Sequence, residues 1–233
     1  MEKWNTHTLG TRPLEEMGEF FNSRAETYDD VHLENVSGGM ESKRIIASFL
    51  PAHTQTIIDF GIGTGLELEA VFERFPDAFV TGFDVAENML RLLKERYPDK
   101  KMDLRCESYL DADFGSGIYD AAISVMTLHH YTHEVKTGLY RKVLDCIKQN
   151  GVYIECDYML SEHEHENVQE KEDFYFSEYV RLKAEQGLAD NREYHYDTPC
   201  TVPNQLKMLS EAGFSNVREV WRRENIVILL AGK

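Results

Sequence analysis

The chain has 233 residues, of which 42% are hydrophobic and 28% are charged, so it is long enough for one sizeable core and too apolar to be disordered. Its formal net charge of −16, from 25 basic and 41 acidic side chains, disfavours a nucleic-acid partner, because binding to a phosphate backbone needs clusters of Lys and Arg. No apolar run reaches membrane-spanning length and the N-terminus lacks a secretory signal pattern, so we expect no membrane insertion.

The cysteines are scattered along the chain and show no C-x-x-C spacing; they are Cys106, Cys146, Cys156 and Cys200. This usage is typical of reduced thiols. We therefore expect a cytoplasmic protein. The sequence leaves the oligomeric state open, and a homodimer is one assembly that it allows.

The first 50 residues contain two predicted helices, at 14–22 and 40–50, which form an expected N-terminal helical cap. From residue 51 to 158, strand and helix signals alternate. The helix signals include apolar residues at the spacing i, i+3, i+4, i+7, as in Leu68, Val71, Phe72 and Phe75. The predicted strands are 57–60, 79–83, 102–106, 118–125 and 151–156, and Asn150-Gly151 is predicted to end the helix before the last of them. This alternation indicates right-handed βαβ units and a parallel sheet.

The end of the chain breaks the alternation. A helical insertion is predicted at 159–202, and the final unit, 203–233, holds a helix that ends at Ala212-Gly213 and two strands at 217–221 and 226–230. Strands so close in sequence favour an antiparallel hairpin. We therefore expect a single α/β domain, 1–233, made of the cap, the core at 51–158, the insertion and this C-terminal unit.

The most informative segment is a glycine-rich turn after the first predicted strand, Asp59-Phe60-Gly61-Ile62-Gly63-Thr64-Gly65. Glycines at alternate positions let the backbone adopt positive φ and approach a ligand closely. Asp59 lies at the carboxyl end of the strand, where open α/β sheets bind their ligands. In a dinucleotide-binding G-x-G-x-x-G turn the third glycine comes one residue later than it does here.

This turn resembles motif I of the class I S-adenosylmethionine-dependent methyltransferases. The residues 119–130 resemble the motif IV region of that family, and 20–29 is similar to a segment of its small-molecule members, including the ubiquinone and menaquinone biosynthesis methyltransferases. The resemblance implies a Rossmann-like, mostly parallel sheet of seven strands with helices on both faces and an antiparallel C-terminal hairpin.

The resemblance also implies S-adenosyl-L-methionine as cofactor and S-adenosyl-L-homocysteine (SAH) as product. The glycine turn would make room for the methionine end, and Asp59 would hold its ammonium group, directly or through water. Asp84, which ends the second strand, would accept hydrogen bonds from the ribose hydroxyls, although nicotinamide-binding folds have an acidic residue there too. Glu107 would receive the adenine amino group. The implied cofactor-binding residues are Tyr28, Asp59, Gly61, Gly63, Gly65, Asp84, Glu107, Ser108 and Val125.

Each of these roles has a structural alternative. Asp84 is also placed to cap the helix that begins near Ala86. Glu107 is equally well described as a solvated loop carboxylate. Tyr28, the candidate lid residue, has as its alternative a tyrosine at a helix end that packs on the core.

Two histidines follow the fourth predicted strand, and His129 and His130 are the candidates for a catalytic base. A histidine pair at this place also occurs in the family as a structural or substrate-side feature. Spacing places no third and fourth ligand beside them, so we predict no metal. His163 and His165 alternate with glutamates, as in a solvated stretch, and His195 is a weaker candidate for a pocket residue.

The predicted function is transfer of a methyl group to a small-molecule acceptor by in-line displacement. The acceptor pocket is expected between the N-terminal helices and the insertion, where Phe174, Tyr175, Phe176 and Tyr179 supply either an aromatic wall or core packing. Three alternatives remain open: a non-catalytic cofactor-binding protein, a methyltransferase for RNA or protein, and an NAD(P)-dependent oxidoreductase. The glycine spacing and the hairpin disfavour the last of these.

Overall fold

The computed structural model describes residues 13–35, 38–161, 166–189 and 192–233. Its centre is a seven-stranded sheet in the order β3-β2-β1-β4-β5-β7-β6. The strands are β1 (Thr56–Phe60), β2 (Phe79–Asp84), β3 (Met102–Cys106), β4 (Tyr119–Val125), β5 (Ile147–Tyr158), β6 (Ser215–Arg223) and β7 (Ile226–Gly232).

The strand pairing confirms the predicted topology. β1 pairs in parallel with β2 and β4, and the parallel part of the sheet extends through β3 on one side and β5 on the other. β7 runs antiparallel to both β5 and β6, so the C-terminal hairpin closes the sheet with its last strand reversed.

Helices cover both faces of the sheet, because alternate side chains of a strand point to opposite faces. Ile58 and Phe60 of β1 pack in one apolar cluster with helices of residues 133–146 and 202–212, while Ile57 packs in another with helices of residues 39–49, 68–74 and 87–96. The helices within the described residues are α1 (Met17–Asn35), α2 (Gly39–Phe49), α3 (Leu68–Arg74), α4 (Glu87–Arg96), α5 (His133–Cys146), α6 (Val168–Glu185) and α7 (Val202–Ala212), with a short 3₁₀ helix at Leu128–His130.

Two predicted boundaries were wrong. The first helix was expected at 14–22 but extends from Met17 to Asn35, because Ala25 packs against Ala86 and Met89 at the start of α4 and continues the helix past its weak apolar pattern. The helix α5 ends at Cys146 rather than at the Asn150-Gly151 turn, since the chain enters β5 at Ile147 and takes that turn inside the strand. Asn150 has the positive φ, 66°, that the turn requires.

The carboxyl ends of the parallel strands meet at one edge of the sheet, and two distant segments cover that edge. The N-terminal segment and the end of the insertion join through a bridge between Glu16 and Tyr194. The Met17 N–H donates to the Glu193 carbonyl (2.9 Å), and the His195 N–H donates to the Glu15 carbonyl (2.9 Å). These contacts build a cover over the strand ends from two parts of the chain. Within the described residues, no helix has both the length and the apolar composition to cross a membrane.

Candidate functional site

A cleft opens at the carboxyl edge of the sheet, between the glycine turn and α1. The space inside it, including its open mouth, is about 510 Å³. Its described lining comes from α1, the glycine turn and the segments that follow β2, β3 and β4. The lining residues are Met17, Phe21, Tyr28, Gly61, Gly63, Asp84, Val85, Met89, Tyr109, Val125, Met126, Thr127, His130 and Tyr131.

The three glycines of the turn have different surroundings. Gly61 has φ 69°, and a Cβ there would lie 2.3 Å from Thr127 Oγ1, so the turn passes against the segment after β4. Gly63 has φ 53° and faces open space, with no atom closer to its Cβ position than 3.9 Å. Both line the cleft, whereas Gly65 packs against Leu93 and serves the contact with α4.

Asp84 connects the glycine turn to the second strand. Its Oδ2 accepts the Gly63 N–H (2.8 Å), and its Oδ1 accepts the Ala86 N–H (2.8 Å). Burial raises the pKa of Asp84 to about 6, although the two backbone donors act in the opposite direction. The bond to Ala86 forms a turn before α4 rather than an N-cap, since no side chain caps that helix. Each carboxylate oxygen retains capacity for a hydroxyl donor.

Asp59 lies fully buried behind the glycine turn, beside Glu67, and does not line the cleft itself. Neither of its carboxylate oxygens has a hydrogen-bond partner among the described residues. Burial raises the pKa of Asp59 well above its ordinary value, and the neighbouring Glu67 and Asp84 raise it further. A buried carboxyl group without partners fits a cationic ligand or a bound water, because leaving such a group unpaired is costly.

Two more predicted cofactor residues lie in the cleft wall. Tyr28 projects from α1, with its ring edge against Phe21 at a centroid distance of 6.0 Å. Burial raises the pKa of Tyr28 above its ordinary value, and nearby carboxylates add to this effect. Val125 ends β4 and lines the same wall.

Glu107 and Ser108 do not line the cleft. Glu107 is exposed, and the Ser108 hydroxyl donates to Glu193 of the insertion. The next residue, Tyr109, lines the cleft instead, and its hydroxyl lies 2.9 Å from Thr127 Oγ1. The loop after β3 therefore presents a phenol ring to the cleft.

Glu193 is a residue that sequence reasoning missed. Its side chain accepts hydrogen bonds from the hydroxyls of Ser108 and Tyr131, the latter at 2.5 Å, and its backbone carbonyl accepts one from the Met17 N–H. One residue of the insertion thus joins the loop after β3, the segment after β4 and α1. No local pattern signals this role, because its partners are 62 and 85 residues away along the chain.

His129 is held by Asp157 at the end of β5. The His129 Nδ1 lies 2.5 Å from Asp157 Oδ1, and Asp157 Oδ2 accepts the backbone N–H groups of Leu128 (2.8 Å) and His129 (3.0 Å). Burial lowers the pKa of His129, but the carboxylate of Asp157 outweighs it and the net pKa is raised. His129 does not line the cleft and is best described as a support for the histidine beside it.

His130 does line the cleft. Its Nδ1 lies 3.2 Å from Asp197 Oδ1, and the same oxygen lies 3.7 Å from His129 Nε2. Burial and the neighbouring His129 lower the pKa of His130, and this outweighs the opposing effect of Asp197. The lowered pKa favours the neutral imidazole near pH 7. Nδ1 lies beside Asp197 without a hydrogen bond of good geometry, so Nε2 is the nitrogen that would accept a proton.

The position of Asp197 bears on the prediction that no metal binds beside the histidine pair. Spacing placed no third donor beside the two histidines, but the fold does: one ligand atom each from His129, His130 and Asp197 lie within 4.8 Å of one another. His133, Glu172 and Cys200 form a second such group. In that group the ammonium of Lys136 lies 3.1 Å from the Cys200 sulfur, where it opposes a cation.

The remaining predicted pocket residues lie away from the cleft. His195 stacks on Phe20 with centroids 3.5 Å apart, and burial followed by the charge of His130 lowers its pKa to about 3. Of the α6 aromatic residues, Tyr179 lines a second cavity, whereas the other three line neither. His163 and His165 lie outside the described residues.

The second cavity adjoins the cleft and shares His130 and Tyr131 with it. It encloses about 1,510 Å³ including its mouth, between the start of α5 and the C-terminal half of α6. Lys183 and Arg192 are among its lining residues. The insertion therefore forms a neighbouring cavity rather than the direct wall of the cleft.

Comparisons with known proteins agree with this geometry. A family profile described as "Methyltransferase domain" matches residues 57–151. A curated relative, carboxy-S-adenosyl-L-methionine synthase of Nautilia profundicola, is 24% identical over 233 residues, which covers 95% of this chain and 97% of that protein.

Solved structures share the fold at low identity. A DhpI–SAH complex superposes with a TM-score of 0.66 at 14% identity, covering 92% of this chain and 94% of that one. Human N-acetylserotonin methyltransferase in complex with SAM superposes with a TM-score of 0.62 at 16% identity, covering 90% of this chain. This chain spans only 54% of the human protein, so that likeness concerns the fold of the shared part.

Proposed function

Because this chain belongs to the class I S-adenosylmethionine-dependent methyltransferases, we propose that it transfers a methyl group to a small-molecule acceptor bound beside His130. The enzyme class and the cofactor are those of the family. The acceptor and the role of each residue are proposals. The observation that carries the acceptor site is a neutral imidazole in the cleft wall, with its Nδ1 3.2 Å from Asp197 Oδ1.

The cofactor's methionine end fits the glycine turn. Gly63 leaves open space in the cleft, and the unpartnered carboxyl group of Asp59 would hold the ammonium group, directly or through water. Asp84 would accept the ribose hydroxyls while its backbone donors keep the carboxylate in place. Tyr28 and Val125 would pack against the bound cofactor.

The adenine end would lie along the loop after β3. Since the Ser108 hydroxyl is engaged by Glu193, Ser108 would contribute its backbone amide. Glu107 is exposed and free of the core, so it would reach the adenine amino group only from the rim of the cleft. Tyr109 would supply the apolar surface beside the ring.

S-adenosylmethionine supplies a methyl group already activated by the sulfonium, so this part of the chemistry belongs to the cofactor. The chain has to hold the acceptor in line and exclude water, and orientation of this kind is worth ~7–11 kcal/mol of the barrier. Where the acceptor must lose a proton, His130 Nε2 accepts it, and such general-base catalysis raises the rate ~10²–10⁴-fold. Asp197 positions His130 for that transfer.

The free cysteines are consistent with a cytoplasmic location, which we also propose.

A partition experiment tests the proposal. The protein is incubated with methyl-labelled S-adenosylmethionine and a cell extract, after which small molecules, protein and RNA are separated. We expect label in the small molecules and a loss of that label with His130→Gln. Label in protein or RNA instead would overturn the acceptor class. No label in any fraction, despite binding of SAH by calorimetry, would favour a non-catalytic cofactor-binding protein.

A further inference from the structure

The cleft lining contains no lysine or arginine among the described residues. Aromatic rings and methionines dominate it instead: Phe21, Tyr28, Tyr109, Tyr131, Met17, Met89 and Met126. A carboxylate or phosphate acceptor would be desolvated here with no basic side chain of the described lining to pair with it. For a buried ion such a penalty amounts to several kcal/mol, so the lining disfavours anionic acceptors.

Two basic side chains that could partner an anion line the neighbouring cavity and not the cleft. Lys183 and Arg192 line the second cavity. Arg192 forms an ion pair with Glu16 at 2.8 Å, and the Lys183 ammonium lies over the ring of Tyr194 at 5.7 Å. Both cations are therefore committed to holding the cover together.

Carboxylates lie in and behind the cleft wall. Asp197 lies against His130 and Asp157 lies against His129, while Asp84 is part of the wall. Burial raises the pKa of Tyr28, and the charges of nearby carboxylates, with Asp84 first, raise it further. The charge of Asp157 is offset by His129, whose pKa it raises, so Asp84 and Asp197 are the carboxylates that would attract a positive group entering the cleft.

We propose that the acceptor is an amine that enters the cleft as an ammonium ion, which makes this protein an N-methyltransferase for a small cationic molecule. The proposal rests on the proposed function and narrows it. Asp84 is assigned to the cofactor, so the rings of Tyr131 and Phe21 remain for the acceptor, with Asp197 behind His130. Ammonium groups bind favourably over aromatic faces, and more so when water is excluded.

The ammonium ion must lose a proton before its nitrogen has a lone pair. His130 Nε2 takes that proton, and the positive field of the bound sulfonium lowers the pKa of the amine and assists the transfer. The nitrogen lone pair then forms a bond to the methyl carbon as the carbon–sulfur bond breaks and its electron pair stays on sulfur. The products are the N-methylammonium ion, SAH and a protonated His130, which releases its proton to solvent.

The test varies the acceptor and leaves the protein unchanged. A cell extract is divided, and one half is treated with acetic anhydride in water to acylate its amines, while the other is mock-treated. Both halves are incubated with the protein and methyl-labelled S-adenosylmethionine. We expect at least a tenfold loss of small-molecule label in the acylated half. The labelled product from the mock-treated half should bind a cation exchanger at pH 7 and resist alkaline hydrolysis.

Three results would overturn the proposal. They are undiminished labelling of the acylated extract, retention of the product on an anion exchanger, and release of labelled methanol by alkali, which marks a methyl ester. Label in protein or RNA alone would overturn the proposed function together with it. Calorimetry with SAH on the same protein separates these outcomes from a cofactor site that does not bind.

Discussion

The two halves of the cleft are built in different ways. The proposed cofactor half consists of the ends of β1 and β2 and the turn between β1 and α3, all within 26 residues of one another (59–84). The acceptor half joins α1, the segment after β4 and the end of the insertion, through His130, Glu193 and Asp197. The first half is fixed by local backbone geometry and the second by contacts between distant segments, so mutations in the two halves should have separable effects.

The largest expected effect lies in the acceptor half. His130→Gln removes the proton acceptor, so we expect the turnover rate with the labelled acceptor to fall ~10²–10⁴-fold. The affinity for SAH, measured by calorimetry, should change less than about threefold, because Asp84 and the glycine turn remain.

His195→Gln is the matched control for this substitution. His195 is half-buried nearby, stacked on Phe20, but does not line the cleft, so its replacement should reduce turnover far less. An equal loss in the two variants would contradict the assignment of His130 as the base.

The next effect separates two glycines of the cofactor half. In Gly61→Ala the new Cβ would lie 2.3 Å from Thr127 Oγ1, at φ 69°. We expect a loss of about 2–4 kcal/mol in the free energy of unfolding, measured with denaturant. Gly63→Ala faces open space, so it should cost stability only through its backbone strain, about 1 kcal/mol, and should mainly weaken SAH binding. A reversed order of stabilities would refute this division of roles.

Asp84→Ala tests the cofactor half directly. Loss of hydrogen bonds to a charged group should weaken SAH binding by about 1.5–3 kcal/mol, which is roughly 10- to 150-fold in Kd. Glu87→Ala, an exposed position in the first turn of α4, is the control and should leave Kd unchanged. An unchanged Kd in a folded Asp84→Ala protein would remove Asp84 from the ribose role.

The pH dependence of SAH affinity follows from the same group. Burial raises the pKa of Asp84 to about 6, and the ribose hydroxyls need its ionised form. Kd should therefore be flat above pH 7 and rise about tenfold by pH 5, with Asp84→Asn abolishing the change. For the cofactor-free protein the sign is opposite: the folded state holds this proton more tightly than the unfolded state, so Asp84 favours folding at low pH and loses that contribution as the pH rises towards 6.

The sequence predicted the strands and the glycine turn of the cofactor half well, because their signals are local. Apolar periodicity and short turns predict the strands. Gly61 and Gly63 predict the glycine turn, because glycine readily adopts the positive φ that both have in the structure. The sequence-based prediction failed for features that depend on tertiary contacts. α1 continues to Asn35 because it packs on α4, and Ser108 turns to Glu193 rather than to the cleft. Asp197, 67 residues from His130, has no partner in its own neighbourhood that would reveal its role.

The smallest expected effect tests whether the two halves are separable at all. Glu193→Gln removes the charge that receives the hydroxyls of Ser108 and Tyr131 but keeps one acceptor oxygen. We expect a local loss of about 1 kcal/mol, seen as faster hydrogen exchange at 108–110 and 192–197 and about a fivefold rise in the KM of the acceptor. Glu185→Gln, which breaks only the exposed ion pair with Arg181, should change neither. If Glu193→Gln weakened SAH binding as much as Asp84→Ala does, the insertion would hold the cofactor as well as the acceptor, and the two halves would act as one unit.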